Sequence, residues 1–238
     1  GMDHTQFLGT SIPESAREKA GIIKPGRPVV AGPMISEALE VITERAEATG
    51  SDCFTVDEKP WKGELELSGK YQAQNVATAL KTIDVLKTNG FHIDDQHIKS
   101  GLNHINRNTG LQGRWQTLGT KPLIICDVGH NADGIKNVVQ QIAETPHNQL
   151  HFVFGMVGDK NATEILPLLP SNATYYFCAA DIPRAMSVNQ LKDLARDKNL
   201  KGNTYPSVSA ALAAAKQNAD ARDLIFIGGS IFVVAEVL

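Results

Sequence analysis

From residue 122 onward, short runs of continuously apolar residues alternate with stretches of helical period. The apolar runs are 122–128, 150–154, 174–179 and 224–227, and the helices expected between them span 133–144, 162–169, 187–198 and 207–218. Strands separated by helices run parallel, and a strand that is apolar along its whole length is covered on both faces. The pattern therefore predicts an α/β fold with a mostly parallel sheet between two helical layers. In such sheets ligands meet the loops at the carboxyl ends of the strands. Those loops here are 127–133, 155–161, 180–187 and 228–230.

The upstream half is less regular. Residues 12–20 read as a short helix, with Ser11 as cap, Pro13 early and Gly21 as a stop. After the Pro25-Gly26 turn, Val29-Val30-Ala31 reads as a short buried strand, and 36–49 as a helix ended by Gly50. Residues 51–68 alternate apolar and polar, as strands or a hairpin would. Helices follow at 71–87, with Val76, Leu80 and Ile83 on one stripe, and at 94–105. The run Asn106-Arg107-Asn108-Thr109-Gly110 marks a boundary, dividing the chain into domains 1–107 and 108–238.

With 42% hydrophobic residues the chain has the apolar content to form cores, so it is not a disordered segment. A net charge of −3 without a basic run excludes an electrostatic nucleic-acid or anionic-membrane surface. No apolar run approaches the roughly 20 residues a membrane helix needs, and residues 1–20 lack the apolar stretch of a secretory signal. Three cysteines without a CxxC fit neither a disulfide framework nor a zinc site. The expectation is a reduced, cytoplasmic protein. Gly1 reads as a residue added ahead of Met2 or as a cut from something longer.

The sharpest chemical cluster is Cys126-Asp127-Val128-Gly129-His130-Asn131-Ala132-Asp133-Gly134. An acid at a strand end can take a ribose hydroxyl or a metal-bound water. A His at the start of a helix can meet a phosphate. The plainer alternative is a strand-to-helix turn with Asn131 or Asp133 as cap. Arg114, in Leu111-Gln112-Gly113-Arg114-Trp115, could offer its fork to phosphate or lie in solvent. Gly155-Met156-Val157-Gly158-Asp159-Lys160-Asn161 allows close backbone approach to a ligand, or is a surface turn; it is not a GxxxxGK[ST] loop. Asp3 or His4 could bind metal, whereas Lys19 at a helix end is ordinary dipole matching. Asn75, in Tyr71-Gln72-Ala73-Gln74-Asn75, could read an adenine edge or sit on a helix surface. His92, His97, His104, His147 and His151 share no ligand spacing and read as solvated or core residues.

Taken in order, these segments resemble the folylpolyglutamate synthase/dihydrofolate synthase family of the Mur ligase superfamily. The resemblance rests on Gly1–Gly9, on Ala16-Arg17-Glu18-Lys19-Ala20-Gly21-Ile22-Ile23-Lys24-Pro25-Gly26-Arg27-Pro28-Val29-Val30, and on the segments 71–80, 111–115, 127–131, 158–160 and 228–230. It implies a Rossmann-like C-terminal ligase domain preceded by the tail of a P-loop-type ATPase domain. It also implies an ATP- and Mg2+-dependent ligase that phosphorylates the carboxylate of a folate or dihydropteroate and joins it to L-glutamate. By the same resemblance, His4 and a carbamylated Lys19 hold metal, Asn75 contacts adenine, and Arg114 reaches phosphates. Asp127 then lies at the ribose and His130 at the phosphates, and Lys19 and His130 are the catalytic candidates. The family's Asp-Gly-Ala-His-Asn-Pro reads Asp127-Val128-Gly129-His130-Asn131-Ala132 here. The family's Gly-rich phosphate loop is absent, so this chain is expected to be a C-terminal portion, inactive alone without the N-terminal half. Two alternatives stay open: a non-catalytic Rossmann-like nucleotide- or partner-binding module, and a related cell-wall amino-acid ligase.

Overall fold

A computed structural model describes residues 11–56, 61, 63–158 and 162–238. Contacts group the chain into two units. One runs to Glu66 and takes in Lys70–Thr109; the other joins Leu67–Gly69 to Gly110–Leu238.

In the first unit, α1 (Ile12–Ala20) opens with a reciprocal cap: Glu14 N donates to Ser11 Oγ, and Ser11 N donates to a Glu14 carboxylate oxygen. β1 (Val29–Ala31) leads through α2 (Ser36–Ala48) to β2 (Cys53–Thr55), and the two strands pair in parallel. Of the strands or hairpin expected over 51–68, the described residues form one strand, β2, whose partner is β1. With α2 as the crossover, the second strand lies beside the first in the same direction. α3 (Gln72–Thr88) buries Val76 and Val85, leaving Leu80 and Ile83 half-buried. The helix expected over 94–105 instead ends at Asn103 as α4 (Asp95–Asn103), and α5 (Ile105–Thr109) follows after His104. Ala20, Ile23, Ala31 and Ile42 form the core of this unit.

The second unit runs β3 (Gln116–Thr120), β4 (Leu123–Cys126), α6 (Ala132–Glu144), β5 (Leu150–Phe154) and α7 (Ala162–Ile165). It continues with β6 (Thr174–Phe177), α8 (Val188–Arg196), β7 (Lys201–Thr204), α9 (Val208–Asn218), β8 (Leu224–Gly228) and α10 (Ile231–Ala235). The strands form one sheet in the order β3-β4-β8-β5-β6-β7, parallel except for β3. Successive strand residues face opposite ways. Ile125, Phe152, Phe154, Tyr175, Phe177 and Phe226 pack with Ile135 and Val138 of α6, Ile165 of α7 and Leu191 of α8. Ile124, Cys126, Val153, Tyr176, Ile225 and Ile227 pack with Val208, Ala211 and Ala215 of α9 and Val233 and Val234 of α10. Two covered faces explain the uninterrupted apolar runs. The chain steps outward from β4 through β5 and β6 to β7 with its helices on one face. α9 then returns on the other face and places β8 between β4 and β5.

Three elements of this unit carry no sequence signal. β3 (Gln-Thr-Leu-Gly-Thr) and β7 (Lys-Gly-Asn-Thr) are edge strands, and edges are polar because an apolar edge invites pairing with other chains. α10 is a five-residue apolar run, which periodicity cannot tell from a buried strand. The helix expected over 162–169 tightens to a 3-10 turn at Leu166–Leu168, where Pro167 lacks the N–H an α-helix requires.

The amino-terminal edge of the sheet holds a buried polar network. His151 Nε2 lies 3.3 Å from Asp223 Oδ2, and His151 Nδ1 lies 3.0 Å from the Tyr176 hydroxyl. Asp223 also accepts N–H bonds from Gln149 and Asp220. Burial works against the Asp223 charge, but those N–H bonds and the His151 ring hold its carboxyl below the usual carboxylate range. Stability from such a group is present above its unfolded pKa and is lost as pH falls through the folded one. Asp223→Asn is therefore expected to cost about 1–3 kcal/mol at pH 7, and the deficit should shrink as pH falls below about 4. Urea unfolding of both proteins at pH 7 and pH 3 checks this; a deficit independent of pH would remove the charge from the account.

Candidate functional site

The β4–α6 turn is organised around Asp127. Leu123–Cys126 is an inner strand flanked by β3 and β8, and the next residue, at its carboxyl end, is only 2% exposed. Asp127 Oδ1 accepts from Gly129 N at 2.8 Å, which closes the turn, and Oδ2 accepts from Trp115 N at 2.8 Å. Val128 N donates to the Gly113 carbonyl at 2.9 Å. The segment before β3 is thereby strapped to the strand edge.

That strap sets the position of Arg114. Its neighbours Gly113 (φ +72°) and Trp115 (φ +48°) both lie in the left-handed region. For a residue with a Cβ this costs roughly 1–2 kcal/mol. Trp115 is held there by its N–H bond to Asp127 and by its buried ring, 5.7 Å from that of Phe226. Arg114 itself is half-buried, and no hydrogen bond or ion pair engages its guanidinium among the described residues. Five N–H donors are thus aimed from a constrained backbone.

His130 follows two residues after Val128, whose carbonyl lies 2.9 Å from its Nδ1. A carbonyl only accepts, so Nδ1 carries a proton and the ring is oriented by this bond. Asn131 caps α6 through Gly134 N, which makes Asn131 rather than Asp133 the cap. Burial, and then the neighbouring Asp127 charge, push the Cys126 thiol up to about 12, so it is no nucleophile near neutral pH.

The neighbouring strand ends complete the edge. Asp127 N donates to Ile227 O, and Gly155 N donates to Gly228 O, so the loops after β4, β8 and β5 are contiguous. Gly229 turns sharply at φ +93° into Ser230, which is 3% exposed and caps α10 by accepting from Phe232 N. Ser230 was visible in the sequence only as part of a closing Gly-Gly-Ser. Its burial depends on packing that the local residues do not encode.

Asp127 and His130 thus share one turn of the second unit, and Arg114 lies on the segment strapped to it. Asn75 and Lys19 belong to the first unit. Asn75 is exposed on the first turn of α3 and donates to Gln72 Oε1 at 2.8 Å. Lys19 is exposed on the last turn of α1. His4, Asp3, Asp159 and Lys160 lie outside the described residues. Among the described residues no group of three or more His, Cys, Asp or Glu could hold a metal ion, and no helix is long and apolar enough to cross a membrane.

A family model described as "Mur ligase, glutamate ligase domain" matches residues 113–231. The dihydrofolate synthase/folylpolyglutamate synthase of Bacillus subtilis is 26% identical across the whole chain, which covers 60% of that protein. The solved structure of Escherichia coli FolC in complex with DHPP and ADP superimposes with a TM-score of 0.81 at 28% identity. All of this chain and 58% of that one are covered. A bifunctional folylpolyglutamate synthase/dihydrofolate synthase with Mn, AMPPNP and L-glutamate bound gives 0.81 at 27% identity, covering all of this chain and 59% of that one. The chain therefore spans about three fifths of each of these three proteins.

Proposed function

We propose that this chain, which belongs to the Mur ligase family, is the C-terminal portion of an ATP-dependent ligase joining L-glutamate to a folate or dihydropteroate acid in the cytoplasm. On this reading residues 1–107 are the tail of an ATPase domain and 108–238 the C-terminal ligase domain. The observation that supports it is the turn around Asp127 at a strand's carboxyl edge, which carries His130 and to which the backbone on both sides of Arg114 is bonded. The described residues fit a nucleotide there. The Asp127 carboxylate, at a strand's carboxyl end, would take a ribose hydroxyl. The Arg114 fork suits phosphate oxygens. His130 would face the phosphates.

The reaction would pass through an acyl phosphate. ATP gives its terminal phosphoryl group to the acid's carboxylate, and ADP leaves. The amine of glutamate attacks the acyl carbon, and the tetrahedral intermediate collapses to an amide with loss of phosphate. Arg114 and His130 would stabilise charge that develops on the transferring oxygens. A divalent cation, Mg2+ on this reading, would screen the two anions as they approach. The described residues do not assemble its site, which would need His4 and a carbamylated Lys19, so no step is assigned to it.

The test joins this chain to an upstream segment carrying a Gly-rich phosphate loop. The joined protein should release ADP only when both a pterin acid and glutamate are present, and the chain alone should release none. In the joined protein, Lys19→Ala should lower turnover about 10–100-fold, with partial rescue by short carboxylates. Turnover by the chain alone would refute the fragment reading. Activity on muramyl nucleotides in place of pterin acids would move the protein to the cell-wall branch of the family.

A further inference from the structure

The Arg114 side chain is long and flexible, so the direction in which its fork can reach is set by the backbone that carries it. The residue before it, Gly113, is the loosest part of that backbone. A Cβ at Gly113 would lie 2.9 Å from Val128 Cγ1 and 2.9 Å from Val234 Cγ1, and valine side chains are too stiff to swing aside. Its φ of +72° also favours Gly. The position thus takes the residue with the weakest conformational preference of its own, and something else has to hold it. Gln116 does so: its Oε1 accepts from Gly113 N at 2.7 Å. An N–H needs an acceptor, so the amide oxygen and not its nitrogen faces Gly113. Gln116 is itself anchored as the first residue of β3, paired across the ladder with Cys126, the residue before Asp127.

We infer that Gln116 is a positioning residue that aims Arg114 at the nucleotide phosphates; the inference rests on the ligase reading above. Gln116 closes the four-residue turn Gly113–Gln116, whose two central residues are Arg114 and Trp115. With its bond, Gly113 is held at both polar groups: the N–H by Gln116 and the carbonyl by Val128 N. Trp115 is held at its N–H by Asp127. Arg114 therefore stands between two fixed residues, both in the left-handed region, and such a backbone persists only when its surroundings over-determine it. The two side chains that do this, Gln116 and Asp127, leave from the same end of one strand pair. Asp127 is the member that the sequence makes conspicuous. Gln116 completes the frame on the other side of Arg114, without itself touching the nucleotide. Losing its oxygen would free Gly113 and let the guanidinium wander from the phosphates.

Two measurements test it. In this chain, the Gly113 amide should exchange with solvent at least about tenfold faster in Gln116→Met than in wild type. Gln116→Glu should keep the wild-type rate, because Met matches the length without the oxygen whereas Glu retains one. In the joined, ligase-competent protein, Gln116→Met should raise the KM for ATP about tenfold and leave those for glutamate and the pterin acid unchanged. In an Arg114→Ala background the same change should move the KM for ATP by less than about twofold, because the group it acts through is gone. Wild-type exchange in Gln116→Met, an unchanged KM for ATP, or an equal rise with and without Arg114 would each overturn the inference. The last would leave Gln116 a purely structural residue of the turn. Failure of the underlying reading looks different. Arg114→Ala alone would then leave the KM for ATP unchanged, or the wild-type joined protein would show no glutamate-dependent turnover, and the inference would fall with that reading.

Discussion

Asp127→Ala is expected to destabilise this chain by about 4 kcal/mol. The carboxylate is 2% exposed and accepts N–H bonds from Trp115 and Gly129. Leaving a buried donor unpaired costs about 1–3 kcal/mol each. The loss does not stop at two hydrogen bonds. Trp115 occupies the left-handed region because its N–H is held there, and once released it can relax and carry Arg114 with it. Nucleotide affinity should fall with stability for that reason. Asp127→Asn keeps one acceptor oxygen and should lose about half as much. Urea unfolding of the three proteins, followed by nucleotide titration of the folded ones, checks both parts. Wild-type stability in the alanine variant would show that both N–H groups find other acceptors and that the strap is not held by Asp127.

Gly229→Ala should be comparably severe, by about 3 kcal/mol or more, for a different physical reason. At φ +93° any residue with a Cβ is strained. The added carbon would also sit 2.5 Å from Phe154 Cε2 and 2.6 Å from the Gly155 carbonyl oxygen. One is a buried ring and the other is backbone, so neither can swing aside, and overpacking of this kind alone costs about 1–3 kcal/mol. The least resisted response is for the β8–α10 turn to lift, taking Ser230 with it. Thermal unfolding of this variant beside Gly26→Ala is the check. Gly26 also has a positive φ, but a Cβ there meets nothing within 4 Å. Equal losses at the two positions would mean that backbone strain acts alone at Gly229.

What could be read in advance was local. The helix cap at Ser11 needed only a short polar residue ahead of a periodic run. The four apolar strands β4, β5, β6 and β8 needed only a sheet covered on both faces. The pairing of β2 was hidden because its parallel partner β1 is brought beside it by a whole helix. β3 and β7 were hidden because edges must be polar. The turn after β4 was legible as strand, turn and helix, and the acid in it stood out. That its carboxylate holds Trp115 was not legible, since nothing about a Trp side chain marks a left-handed backbone. The His151 network was equally silent: Tyr176 and Asp223 lie 25 and 72 residues away in the chain.

The position of β8 also governs the order in which this unit can be built. The last strand in the sequence is central in the sheet and pairs with β4 on one side and β5 on the other. During synthesis β5, β6 and β7 can zip together as they appear. β4 has only its antiparallel neighbour β3 until residues 224–228 are available. Until then the two halves of the sheet have no shared strand, and the inner edges of β4 and β5 stand open. Closure thus waits for a long-range pairing made last, the kind of contact that slows folding and leaves strand edges exposed to other chains. A chain cut before Leu224 would therefore not merely lose an end. It would be left as two sheet fragments with sticky facing edges, and aggregation would be its natural fate.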